Sequence, residues 1–106
     1  MVERSIEYCH TKDGKVPYRE WFYSLKDEKT LAIIRARLAR VRVGNIGDCS
    51  PVGDGVFELK IHFGPGYRIY FGQSKHEIVL LLCGGTKKTQ SKDIAKAKEY
   101  WRNYRR

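Results

Sequence analysis

Four side chains that can bind phosphate or transfer protons occur close together in the centre of the sequence: Lys60, His62, Arg68 and Tyr70. Metal-free RNA cleavage requires a group that takes the proton from a ribose 2′-hydroxyl, cations that stabilise the transition state, and an acid for the departing 5′-oxygen. Histidine or lysine can transfer protons, arginine can hold phosphate through two N–H groups, and tyrosine can stack on a base. These residues suit an RNA-cleaving site, although residue type alone slightly favours a solvated sheet face.

The alternation of side chains around these residues predicts a β-hairpin. The segments on either side of residues 64–66 (Gly-Pro-Gly) alternate apolar and polar positions. If this tripeptide is the whole loop, His62 lies opposite Arg68 and Lys60 lies opposite Tyr70. These four residues then form one cluster on the side away from the helices. The apolar positions that face the helices are Phe57, Leu59, Ile61, Phe63, Tyr67, Ile69 and Phe71.

Further polar residues near the hairpin bear on the same chemistry. Lys87 and Lys88 follow two consecutive glycines at which we expect the chain to leave the last strand, so they could supply a second phosphate contact beside the hairpin. Glu58 could orient the neighbouring lysine, pair with it, or take part in proton transfer. A histidine beside a turn, such as His62, is more typical of a surface residue than of a catalyst.

The chain carries a large positive charge for its size. It has 21 Lys and Arg against 12 Asp and Glu in 106 residues, a formal net charge of +9. This surplus attracts polyanions, of which nucleic acid is the commonest in cells, and an acidic protein partner is the alternative. On the predicted second helix, Arg35, Arg37, Arg40 and Arg42 lie outside the apolar stripe. We expect a cationic helix face there and take Arg35 and Arg42 as candidate RNA contacts.

The sequence does not favour other classes of site. Cys9, Cys49 and Cys83 are widely spaced and form no CxxC pair, so neither a disulfide framework nor a metal or other cofactor is expected. The glycines of residues 44–55 lack the spacing of a phosphate-binding loop and predict a surface loop. The longest apolar stretch, residues 78–83, is too short to span a bilayer, and no signal peptide precedes it. We expect a cytoplasmic protein without a membrane partner.

The order of elements predicts an α+β fold in a single domain of residues 1–106. An N-terminal strand is followed by two helices that begin near Pro17 and Asp27 and form an antiparallel helical hairpin. Three strands then form an antiparallel meander, and the last of them is central and covered on both faces. A C-terminal helix begins near Ser91. The apolar helix stripes are Tyr18, Trp21, Phe22 and Leu25, then Leu31, Ile34, Leu38 and Val41, then Ile94, Ala97, Trp101 and Tyr104.

Several short motifs resemble those of one known family. They are the helix from Trp21 to Leu25, Arg37-Leu38, Gly44-Asn45-x-Gly47-Asp48, Gly55-Val56-x-Glu58-Leu59, Gly64-Pro65-Gly66-Tyr67-Arg68-Ile69-Tyr70, Leu81-Leu82-x-Gly84-Gly85-x-Lys87 and Gln90-x-x-Asp93-Ile94-x-x-Ala97. Together they resemble the addiction-module killer proteins, a branch of the RelE/HigB-like toxins of type II toxin–antitoxin systems. The resemblance runs over nearly the whole chain.

The resemblance implies a RelE-like toxin fold and a ribonuclease that cleaves mRNA without a metal, usually in the ribosomal A site. It also implies a cognate antitoxin, here of the helix-turn-helix type, that neutralises the toxin and represses the operon. The working cations of such toxins correspond here to Lys60, Arg68 and Lys87, with Lys88 as a close substitute. The choice between Lys60 and His62 as general base stays open. Several relatives use a C-terminal tyrosine or histidine, and whether Tyr100, Trp101 or Tyr104 takes that place is also open.

Two other functions compete with RNA cleavage. A ParE-like toxin inhibits DNA gyrase without cutting nucleic acid, but such toxins lack the basic cluster that this sequence carries. A basic module that binds nucleic acid or an antitoxin without any activity is the third possibility. The absence of a growth defect on expression without an antitoxin would favour that module.

Overall fold

The computed structural model describes residues 3–75 and 78–105, which form one five-stranded mixed sheet and three α-helices. The elements are β1 (Ser5–Tyr8), α1 (Pro17–Ser24), α2 (Glu28–Arg42), β2 (Cys49–Gly53), β3 (Val56–Ile61), β4 (Tyr67–Ser74), β5 (Ile78–Thr86), a short 3₁₀ helix (Lys87–Thr89) and α3 (Gln90–Tyr104). The predicted α+β class is therefore confirmed. No helix within the described ranges is long and apolar enough to cross a membrane.

The sheet has the strand order β1-β5-β4-β3-β2. β1 pairs with β5 in parallel, whereas β2, β3, β4 and β5 pair successively in antiparallel fashion, which confirms the predicted meander. β5 lies between β1 and β4, and its residues 79–83 are buried, as the continuous apolar run predicts for a strand covered on both faces.

The segment predicted as a surface loop at residues 44–55 contains an additional strand, so that prediction was wrong. β2 forms the edge of the sheet, with Pro51 opposite Phe57. The turn into β3 passes through Asp54 and Gly55, whose φ angles are +57° and +83°, a geometry that Asp-Gly sequences favour. An edge strand tolerates Pro51 because the missing N–H can face away from the partner strand. The density of turn-forming residues concealed this short strand.

The two N-terminal helices begin where their capping residues predict. Pro17 is the first residue of α1, where its missing N–H is not needed. The Asp27 carboxylate accepts hydrogen bonds from the Thr30 backbone N–H at 3.2 Å and from the Thr30 hydroxyl at 2.5 Å, which caps α2. This hydrogen bonding holds the pKa of Asp27 below its usual value.

The core has one layer on each face of the sheet. On one face, the apolar stripes of α1 and α2 pack on the inward residues of β3 and β4, including Leu59, Ile69 and Phe71, as predicted. On the other face, Ala97 and Trp101 of α3 pack on β3, β4 and β5. The expectation that the polar side of the hairpin lies away from the helices was wrong, because α3 covers part of that side.

Two glycines in the sheet allow aromatic rings to approach its backbone. A Cβ atom on Gly84 would collide with the ring of Trp21, and one on Gly72 would collide with the ring of Trp101. Gly84 and the following glycine belong to β5, which continues to Thr86. The prediction that they release the chain from the sheet was therefore wrong by two residues.

Candidate nucleic-acid interface

Lys60 and Arg68 are direct neighbours across the central hairpin. Lys60 of β3 pairs with Arg68 of β4, and Arg68 pairs with Gly85 of β5. The predicted pairs were displaced by two residues because the last paired residues are Ile61 and Tyr67, so the loop spans residues 62–66. The prediction of which residues share a face of each strand was nevertheless correct. Lys60 and Arg68 therefore project from the same face of the sheet, at the end nearest the loop.

A buried carboxylate lies beside Arg68. The side chains of Arg68 and Glu58 are only 10% and 3% exposed, and Arg68 Nε lies 3.6 Å from Glu58 Oε2. Tyr70 donates its hydroxyl proton to the same oxygen at 3.0 Å, and the Gln90 side-chain amide donates to it at 2.6 Å. Glu58 therefore offsets the charge of Arg68 and receives donors from both β4 and α3. We call Glu58, Arg68, Tyr70 and Gln90 the buried polar cluster.

Tyr70 cannot act as a base-stacking surface, contrary to the prediction. It is fully buried, under α3. Burial raises the pKa of its hydroxyl, and the hydrogen bond to Glu58 raises it further, so the hydroxyl remains a donor. Tyr70 instead donates a hydrogen bond that orients the carboxylate of Glu58. The outward projection of alternate residues suggested an exposed face, but no local sequence pattern indicates that α3 covers it.

His62 contacts Asp48 rather than Arg68. His62 Nε2 lies 2.5 Å from Asp48 Oδ2, and both side chains are well exposed. The hydrogen bond with His62 and the nearby charge of Lys60 hold the pKa of the Asp48 carboxyl below its usual value. Lys60, His62 and Asp48 line an open depression of about 350 Å³ together with Arg40. Sequence reasoning missed Asp48, although it belongs to one of the motifs on which the family resemblance rests.

Lys87 and Lys88 lie beside the hairpin loop, where the sequence predicts them. The backbone N–H of Lys87 donates to the carbonyl of Gly66 at 2.9 Å, so this bond ties the 3₁₀ helix to the loop. Both lysine side chains are exposed. Lys60, Arg68, Lys87 and Lys88 thus meet at one end of the sheet, which we call the basic end.

Arg35 and Arg42 are not part of the basic end. They lie on α2, which packs on the sheet face opposite the buried polar cluster, and they line a separate groove with Arg19. Arg37 is not on an exposed cationic face either. It is 6% exposed and donates to the carbonyl of Ile46 at 2.5 Å. Burial lowers the pKa of its guanidinium. The helical spacing placed it near the border of the apolar stripe, and the loop after α2 covers it.

The C-terminal aromatic residues lie away from the basic end. α3 begins beside the buried polar cluster, where Gln90 contacts Glu58. At about 1.5 Å per residue, Tyr100 is about 15 Å further along the helix axis. Tyr100 and Tyr104 line a depression with Cys9, and Tyr104 stacks on Trp101.

Among residues 3–75 and 78–105, no group of three His, Cys, Asp or Glu side chains is arranged to hold an ion. The thiols of Cys9, Cys49 and Cys83 are free. Burial raises the pKa values of all three, to about 12 for Cys83.

These observations define an α+β protein whose mixed sheet presents a basic end above a buried carboxylate. No protein-family model matches the chain. An uncharacterized protein of Haemophilus influenzae is 47% identical over 81 residues, which cover 76% of this chain and 82% of that protein. The chain therefore belongs to the same family as this Haemophilus influenzae protein.

Proposed function

We propose that this protein is the toxin of a type II toxin–antitoxin system, with a RelE-like fold, and that it cleaves mRNA on the ribosome without a metal ion. The order of the elements supports this proposal, because α1 and α2 follow the N-terminal strand and precede the antiparallel strands. The sequence motifs that resemble this family include two residues of the basic end, Arg68 and Lys87. The protein acts in the cytoplasm, and a helix-turn-helix antitoxin is its cognate partner.

The observation that carries this proposal is the pairing of Lys60 with Arg68 next to a buried carboxylate. Glu58 lies 3.6 Å from Arg68 Nε and is itself held by Tyr70 and Gln90. Because the Glu58 carboxylate already positions the guanidinium of Arg68, binding of phosphate requires little further loss of conformational entropy. An ordinary solvated sheet face needs no such buried support.

In the proposed reaction, Arg68 binds the scissile phosphate of the RNA. Lys60 as the free amine, or the imidazole of His62, accepts the proton of the 2′-hydroxyl. The 2′-oxygen then forms a bond to phosphorus, and the bond from phosphorus to the 5′-oxygen breaks. Lys87, with Lys88 beside it, stabilises the developing charge, and water donates the proton with which the 5′-oxygen leaves. The products are a 2′,3′-cyclic phosphate and a 5′-hydroxyl.

Mapping of mRNA 5′ ends after brief induction in a bacterial host tests the proposal. We expect new ends at a fixed codon position with the wild-type protein, and neither cuts nor growth arrest with Arg68→Ala. Arg102→Ala is the matched control, because Arg102 is an exposed arginine on α3. Protein levels are compared by immunoblot. Full toxicity of the Arg68→Ala variant would show that the site is assigned wrongly.

The same cultures separate the competing functions. Growth arrest with an SOS response and intact mRNA would identify a ParE-like gyrase inhibitor instead. Absence of any growth defect without an antitoxin would identify a binding module without activity. With purified ribosomes and mRNA, cleavage should continue in excess EDTA and leave cyclic phosphate ends. Loss of cleavage on chelation, restored by a divalent metal ion, would contradict the metal-free mechanism.

A further inference from the structure

A groove between α1, α2 and β1 lies on the opposite side of the sheet from the buried polar cluster. It encloses about 440 Å³. We call it the arginine–aromatic groove. Its lining residues are Tyr8, Tyr18, Arg19, Phe22, Tyr23, Arg35, Leu38, Ala39 and Arg42. It contributes nothing to the proposed RNA-cleaving site, so its composition calls for a separate explanation.

Tyr18, one of the residues that line the groove, has a buried hydroxyl without a hydrogen-bond partner in the described part of the chain. Tyr18 is 3% exposed, and its hydroxyl has no partner among the described residues. Burial raises the pKa of this hydroxyl, so it remains protonated. A buried hydroxyl normally finds a partner, because leaving it unpaired destabilises the fold. An acceptor brought by another molecule would satisfy it.

The charge of the groove indicates what kind of acceptor fits. Arg19, Arg35 and Arg42 line the groove, and no carboxylate does so among the described residues. The positive potential of three arginines favours an anionic acceptor.

Two aromatic rings of the groove, those of Tyr8 and Phe22, are already covered by guanidinium groups, which favours a protein ligand over RNA. The guanidinium of Arg19 lies 4.5 Å from the ring centre of Tyr8, and that of Arg35 lies 5.1 Å from the ring centre of Phe22. Phe22 also stacks on Tyr18, at 5.9 Å between ring centres. Unpaired RNA bases bind mainly on free aromatic faces. The groove instead adds the aliphatic side chains of Leu38 and Ala39 and borders Tyr23, which is 59% exposed.

We propose that the arginine–aromatic groove docks an acidic segment of a partner protein. A carboxylate of that segment accepts the hydrogen bond of Tyr18 and pairs with Arg35, and apolar side chains beside it pack on Leu38 and Tyr23. The partner thus binds the sheet face opposite the buried polar cluster. This surface is independent of the proposed RNA cleavage and would stand if that proposal failed.

The probe is a short fluorescein-labelled peptide of repeated Leu-Glu-Glu-Leu units, followed by fluorescence anisotropy. We expect the wild-type protein to bind it, and Arg35→Glu to weaken binding by about tenfold or more through the reversed charge. Arg102→Glu is the matched control on α3 and should change the affinity less than about twofold. The same peptide with Gln in place of Glu should bind at least about tenfold more weakly.

Tyr18→Phe distinguishes a docking role from a structural one. Removal of an unpaired buried hydroxyl should leave the melting temperature unchanged or raise it, while weakening peptide binding by about fivefold. Tyr104→Phe, at an exposed tyrosine of α3, should change neither quantity. A structural role would instead lower the melting temperature.

Three results would overturn the proposal. The first is no binding of the acidic peptide to the wild-type protein, and the second is equal binding of the Glu and Gln peptides. In the third, a labelled single-stranded RNA loses affinity in Arg35→Glu while peptide binding is unaffected, which would assign the groove to RNA. Circular dichroism of each variant establishes that the fold is retained.

Discussion

The basic end and the arginine–aromatic groove both present arginines but hold them differently. In the basic end, Arg68 is nearly buried beside the carboxylate of Glu58, which two further donors hold. In the groove, Arg19 and Arg35 lie over aromatic rings, and the hydroxyl of Tyr18 has no partner. The charge of Arg68 is offset by Glu58 within the protein, although its Nε–H, like the hydroxyl of Tyr18, has no hydrogen-bond partner among the described residues. No carboxylate lines the groove among the described residues, so its arginines leave their charge, and Tyr18 leaves a hydrogen-bond donor, for another molecule to satisfy.

The largest difference is expected in RNA cleavage. Arg68→Ala should lower the cleavage rate of ribosome-bound mRNA by about 10²- to 10³-fold, because it removes the cation that holds the phosphate in the proposed reaction. Arg68→Lys keeps the charge but loses the bidentate donor geometry of the guanidinium. Its cleavage rate should therefore lie between those of the wild-type protein and the Arg68→Ala variant. Single-turnover cleavage measures both variants against Arg102→Ala. A Lys variant as slow as the Ala variant would show that geometry matters and charge does not.

The second prediction tests whether Glu58 stabilises the charge of Arg68. Glu58→Gln leaves a nearly buried guanidinium without its counter-charge, so the free energy of unfolding should fall by about 3 kcal/mol. Urea denaturation at neutral pH measures the change. Asp54→Asn, at an exposed carboxylate 3.8 Å from Lys98, is the control and should have little effect. A loss equal to that of the control would mean that solvent, and not Glu58, compensates Arg68.

The third prediction compares the two buried tyrosine hydroxyls directly. Tyr70→Phe removes a donor to the buried carboxylate of Glu58 and should destabilise the protein by about 1 to 2 kcal/mol. Tyr18→Phe removes an unpaired hydroxyl and should be neutral or stabilise the protein by about 1 kcal/mol. Thermal unfolding of both variants under one set of conditions decides the matter. Equal losses for the two substitutions would contradict the distinction between the regions.

The smallest effect concerns the exposed pair of Asp48 and His62. The folded state lowers the pKa of Asp48, so the pair stabilises the protein above the ordinary Asp pKa near 4, and that stability is lost as pH falls through the lowered value. Asp48→Asn should therefore flatten the dependence of the urea midpoint on pH in the acid range below about pH 4. An unchanged slope would show that the pair is broken in solution.

The sequence predicts the faces of the central hairpin correctly, because side-chain alternation is a local property of a strand. Leu59 and Ile69 pack on the helices as expected, while Lys60 and Arg68 share the other face. The predicted pairing of β3 with β4 was wrong by two residues, because the register depends on the length of the loop. His62 and Phe63 belong to this loop and are not paired with β4. No local pattern separates the last paired residue from the first loop residue.

Burial of the polar residues could not be predicted from the sequence. Tyr70 and Glu58 have the spacing of an exposed strand face, and only the packing of α3 encloses them. Arg37 borders the apolar stripe of α2, and its charge indicated a solvated position, but the carbonyl of Ile46 in the following loop accepts its hydrogen bond. Both cases depend on contacts between segments distant in sequence or on the path of a loop. The family resemblance pointed to Lys60, Arg68 and Lys87, but it carried no information on the buried residues that surround Arg68.

The edge strand β2 has a consequence for the behaviour of the protein at high concentration. An exposed sheet edge can pair with the edge of another molecule and so start aggregation. On this edge Pro51 offers no N–H, and the pairing with β3 shifts between Pro51 and Gly53, which disturbs the straight row of hydrogen-bonding groups. The opposite edge, β1, is only four residues long. Both edges are therefore poor templates for adding a further strand, so we expect edge-to-edge pairing to contribute little to self-association of this chain.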